Sequence, residues 1–171
     1  GADSGTFDYF TEAIVGKAKA IRTDYQPTED DNVTIKGVAG DTYAMGFLGY
    51  AYYEENKDKV KAVAIDHGKG CVLPSRETVL DGTYQPLSRP LFIYVNVKSL
   101  DRPEVQAFVD FYLSPAARRA IRSTGYVELP SEAYRIGQEL VKRRKAGTFF
   151  MELPAGTPLS KFIQELDKEL R

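Results

Sequence analysis

The stretch LFIYVNV, residues 91–97, limits what this chain can fold into more than any other. It is apolar nearly throughout instead of alternating, which predicts a strand covered on both faces. The chain from Asp101 onward reads as helices. In DRPEVQAFVDFYLS, Asp101 is the expected cap and Pro103 falls in the first turn, while Val105, Phe108, Val109, Tyr112 and Leu113 follow the i, i+3, i+4 rule. SPAARRAIRSTG predicts a second, short helix ended by Gly125, and YVELP a brief strand. SEAYRIGQELVKRRKAG predicts a third helix capped by Ser131. PLSKFIQELDKELR is the fourth, with Leu159, Phe162, Ile163, Leu166 and Leu170 on one face.

Ahead of residues 86–90 the composition changes: the sequence is mixed α/β and rich in glycine and tyrosine. That change is read as a crossing between two lobes. Phe7, Phe10, Ile14 and Val15 lie at helical spacing over residues 7–15, and Asp3, Ser4 or Thr6 can cap that helix. Residues 22–31 read as a loop. Residues 32–38 fit either an extended piece or the first turn of a helix. A helical turn is expected over 41–44, strands over 46–49 and 60–65, and a helix over 50–58. The aromatic run Phe47, Tyr50, Tyr52 and Tyr53 fits a lobe core better than a binding platform.

Composition removes several functions. A net charge of −1 leaves no electrostatic footprint for nucleic acid or an anionic membrane. The KRRK run, residues 142–145, therefore reads as a solvated helix end, where cations suit the dipole. The one cysteine, Cys71, permits no intrachain disulfide. With the one histidine, His67, it cannot complete a metal site, so HGKGC reads as a loop and no metal or cofactor is expected. No apolar run reaches the roughly 18 residues that a membrane helix needs.

One motif carries chemistry. Ser4, Gly5 and Thr6 stand at the mouth of the first helix, where backbone amides are unsatisfied and the dipole is positive. Small hydroxylated residues and a glycine let an anion approach those amides closely. A nucleophilic Ser4 or Thr6 would need a base, and neither GxSxG nor SxxK is present. The expected activity is binding without turnover.

DSGTFDYFTEAI, GVAGDTYAMGFLGYAYYEENKDKVKAVAID and YQPLSRPLFIYVN together resemble the phosphate-binding proteins of ABC transporters, in the branch found in cyanobacteria. The resemblance runs from Asp3 to about Phe150. It implies an α/β, periplasmic-binding-protein-like (type II) lobe plus the C-terminal share of the other lobe. Residues 1–88 would be the second, ligand-binding lobe. Residues 89–171 would be the hinge crossing strand and the C-terminal helical share of the first lobe. Ser4, Gly5 and Thr6 match the family's SGT triplet, which donates hydrogen bonds to inorganic phosphate. The implied partner is an ABC permease, and the implied location is the periplasm or cell surface, with a lipid anchor in some members.

Two departures from the family bear on the ligand. An arginine that some relatives carry four residues before the serine would lie ahead of Gly1. Family chains are also longer at the N-terminus, and that portion supplies a carboxylate accepting the proton of hydrogen phosphate. The triplet alone does not separate phosphate from sulfate or molybdate, so a receptor or sensory domain for another oxyanion is the alternative, with a hydrolase using Ser4 behind it. The chain is expected to need the missing N-terminal lobe. Its C-terminal helices are expected to be under-supported and to favour self-association.

Overall fold

A computed structural model describes residues 4–148 and 153–171. Eight α-helices are formed among them: α1 Gly5–Val15, α2 Asp31–Gly40, α3 Tyr50–Glu55, α4 Arg76–Leu80, α5 Pro103–Tyr112, α6 Pro115–Ser123, α7 Ser131–Lys142 and α8 Leu159–Lys168. Strands β1 Ile65–Asp66 and β2 Cys71–Val72 make the one ribbon, antiparallel, with Ile65 opposite Val72 and Asp66 opposite Cys71.

Local chemistry sets the helix ends. Of the three caps expected for α1, Ser4 serves: its hydroxyl accepts from the Phe7 amide at 3.4 Å. Thr6 lies inside the helix, and Asp3 lies outside the described residues. Gly16, at φ 80°, closes the other end by donating to the Glu12 carbonyl. The ambiguous residues 32–38 are helical, because Asp30 caps α2 by accepting from the Asn32 amide at 2.8 Å. Ser114 caps α6 and Pro115 opens it. Two expected caps differ. Asp101 ends a short 3-10 turn, Val97–Asp101, and Arg102 stands in the cap position of α5. Pro130 precedes α7, leaving Ser131 as its first residue.

The strands depart further from expectation. Residues 46–49, 91–96 and 126–130 join no ladder among the described residues, and of 60–65 only Ile65 is in a strand. Residue 97 begins the 3-10 turn instead of ending a strand. A helix closes its hydrogen bonds within itself, whereas a strand exists only against a neighbour. Apolar residues at 91–96 therefore stay open, with Leu91 61% and Tyr94 75% exposed. Phe92 does find cover, its ring 6.0 Å from that of Phe162 in α8.

Apolar burial gathers in two places. Near α1, Phe10 stacks on Phe47 with ring centres 4.1 Å apart and planes 7° from parallel. Phe7 lies buried between Tyr25 and Phe47, and Ile35 and Ala51 are buried from α2 and α3. The aromatic run thus feeds a core at Phe47, while Tyr52 remains exposed. Ile14 and Val15 also remain exposed, although the helical spacing puts them with Phe7 and Phe10. In the second place Leu100, Val109, Ala117, Ala133, Tyr134 and Leu140 are buried, and Ile136 is fully enclosed. The two regions touch where Gly125 approaches Ala51, and where Arg76 and Arg122 meet Glu128.

Candidate functional site

The first turn of α1 begins at Gly5, so the amides of Gly5 and Thr6 have no intrahelical acceptor. The next two amides are accounted for: Phe7 donates to the Ser4 hydroxyl, and Asp8 to the Ser4 carbonyl at 3.1 Å. Gly5 is exposed, with Ser4 and Thr6 half-buried beside it. The triplet therefore offers two main-chain donors and two hydroxyls at one surface point. Such an array holds an oxyanion by directed hydrogen bonds and the helix dipole. The Ser4 oxygen accepts from a backbone amide, and no base meets it among the described residues.

One turn along α1, Tyr9 ties this helix to the chain that follows residue 85. Its hydroxyl faces the carbonyls of Pro86 at 2.7 Å and Ser88 at 2.8 Å, and it accepts from the Gly156 amide at 3.0 Å. Burial pushes its ionisation above the ordinary phenol range, against the smaller opposing influence of the Gly156 hydrogen bond. Over the Tyr9 ring lies Arg89, its guanidinium carbon 5.3 Å from the ring centre. Arg89 also reaches the triplet: its Nη2 is 3.2 Å from where a Cβ on Gly5 would sit. The Asp8 carboxylate stands in the same first turn, with Oδ1 buried and without a hydrogen-bond partner among the described residues.

Sequence reasoning named Ser4, Gly5 and Thr6 as candidates and did not single out Tyr9 or Arg89, which the structure brings beside them. Tyr9 lies in the first helix and Arg89 in PLSRP, residues 86–90, and nothing local tells that residue 89 returns to residue 5. The other candidates sit elsewhere. His67 and Cys71 are exposed on the β1–β2 hairpin, whose Asp66 carboxylate accepts from the amides of Gly68 and Gly70. No metal-binding cluster occurs among the described residues. The KRRK side chains all meet carboxylates: Lys142 and Arg143 meet Glu139, Arg144 meets Asp101 and Lys145 meets Glu169. Two surface grooves, of about 440 and 300 Å³, share no residue with the triplet.

Comparison with known proteins adds four findings. The family described as PBP superfamily domain matches residues 1–116. Protein SphX of Synechocystis sp. is 51% identical over 167 residues, covering 94% of this chain and 49% of that protein. Phosphate-binding protein PstS of Staphylococcus haemolyticus is 38% identical over 133 residues, 77% of this chain and 40% of that one. A solved structure described as a possible phosphate binding protein from Planctomyces limnophilus superposes with a TM-score of 0.67 at 43% identity. That match covers 84% of this chain and 51% of the other. The chain spans about half the length of the curated relatives it matches.

Proposed function

The chain belongs to the PBP superfamily, with a helix-rich part of its α/β fold, and from that premise we propose that it is the phosphate-holding share of a non-catalytic receptor serving an ABC importer. The observation that carries this reading is the open first turn of α1. Gly5 and Thr6 present free amides between two hydroxyls, in a chain similar to a protein named for phosphate binding. In this reading residues 1–88 form the ligand-binding lobe, and residues 89–171 form the crossing and the helical share of the other lobe. The receptor works in the periplasm or at the cell surface, lipid-anchored in its full-length form, and delivers phosphate to a membrane permease.

A complementary lobe completes the cleft. Apolar side chains left open support this: Phe108 and Phe111 of α5 are 63% and 54% exposed, and Leu91 and Tyr94 are mostly exposed as well. Alone, the chain self-associates through these surfaces, which light scattering detects as a mass above the monomer.

Calorimetric titration of the chain with phosphate, sulfate and molybdate tests the ligand. Phosphate should bind, and Ser4→Ala and Thr6→Ala should each weaken it by about tenfold, the value of one hydrogen bond to a charged group. Unchanged affinity in both variants would remove the site assignment. Sulfate binding as tightly as phosphate would move the chain to the broader oxyanion class.

A further inference from the structure

We infer that Arg89 is a further ligand-binding residue, whose guanidinium supplies the positive charge that Ser4, Gly5 and Thr6 lack. The inference rests on the phosphate reading above and deepens it. Arg89 belongs to the crossing segment, 84 positions beyond Gly5, yet its Nη2 stands 3.2 Å from the position of a Gly5 Cβ. A guanidinium in that place faces the positive pole of α1, an arrangement that is repulsive by itself. Among the described residues it forms no ion pair and donates no hydrogen bond; its one partner is the Tyr9 ring. The Asp8 carboxylate in the first turn of α1 makes no bond to it, and its Oδ1 has no hydrogen-bond partner among the described residues.

The approach is built, because Tyr9 fixes it from both sides. The ring carries the guanidinium on its face, and the hydroxyl holds the carbonyls of Pro86 and Ser88 immediately before Arg89. A tethered cation with unused donors, held against a helix pole with unused donors, is relieved by an anion between them. The planar fork of Arg89 suits two oxygens of a tetrahedral oxyanion, while the helix amides take the others. Ligand occupancy then links α1 to the crossing segment through charge as well as through Tyr9.

The test uses the full 171-residue chain, inorganic phosphate, calorimetry at two salt concentrations, and thermal melts with and without phosphate. Arg89→Gln should weaken phosphate about tenfold or more and flatten the salt dependence of binding, with Arg89→Lys in between. Its phosphate-free melting temperature should equal or exceed that of the wild type, because a cation has left a helix pole. If Arg89→Gln binds within twofold of wild type while Ser4→Ala binds weakly, the Arg89 role falls and the site stands. A lowered phosphate-free melting temperature that Arg89→Lys does not restore makes Arg89 a structural clamp and overturns the inference. A wild type that responds to phosphate in neither measurement overturns both readings.

Discussion

Helix α7 and residues 91–96 both present apolar side chains, and these end in opposite states. The α7 face made by Ala133, Tyr134, Ile136 and Leu140 is buried, and Ile136 is fully enclosed. Residues 91–96 form no ladder among the described residues and leave Leu91 and Tyr94 mostly in solvent. The helix closes its own hydrogen bonds and then finds cover, with α8 packed along it and Leu113 and Arg118 meeting Gly137 and Tyr134. The strand needs partners on two edges and two faces, and this chain brings few of them. Order follows from where an element's hydrogen bonds close, as well as from how apolar it is.

Four substitutions press on that contrast. The largest effect belongs to Ile136→Ala, which empties a site with no exposure and should cost about 3 kcal/mol in urea unfolding. A cost below about 1 kcal/mol would show that α7 is as loosely held as residues 91–96.

Glu128 comes next. It accepts from Arg76 and Arg122, and the Arg76 hydrogen bond before all else lowers its ionisation to about 2. Because the folded value lies below the unfolded one, the stabilisation is complete above about pH 4.5 and disappears as pH falls through about 2. Both arginine side chains are 40% or more exposed, so the loss should be about 2 kcal/mol, less than the shift alone implies. Glu128→Gln should be destabilised near neutrality and flatter across that acid window. An equal slope for variant and wild type would assign the acid sensitivity to other groups.

Tyr9→Phe removes the acceptor of the Gly156 amide and the donor to the Pro86 and Ser88 carbonyls, for about 1 kcal/mol. Faster hydrogen exchange at Gly156 would report the loss directly, and unchanged exchange would mean that the tether is not formed in solution. The smallest change is expected from Leu91→Ala, within about 0.5 kcal/mol, since the side chain is 61% exposed. Adding the complementary lobe proposed above should raise that figure severalfold; if it does not, residues 91–96 are not a strand awaiting partners.

The helices were legible because their signals are local. Ser4 and Ser114 sit at caps, prolines open α5 and α6, and apolar spacing marks the faces. Errors there are of one residue, as at Asp101 and Ser131, where neighbouring residues took the cap position. The strands at 46–49 and 91–97 were legible as apolar segments but not as paired structure, since pairing belongs to the partner. Within the candidate site the triplet was readable from three adjacent residues. Arg89 and Tyr9 were not, because only tertiary structure carries residue 89 back to residue 5.

The phenol of Tyr9 owns one proton, while two carbonyls two residues apart stand at nearly equal range, 2.7 and 2.8 Å. Whichever oxygen withdraws, the other keeps the bond. The joint between α1 and residues 86–88 therefore carries a spare fastening: losing either acceptor alone would not leave the phenol without a partner.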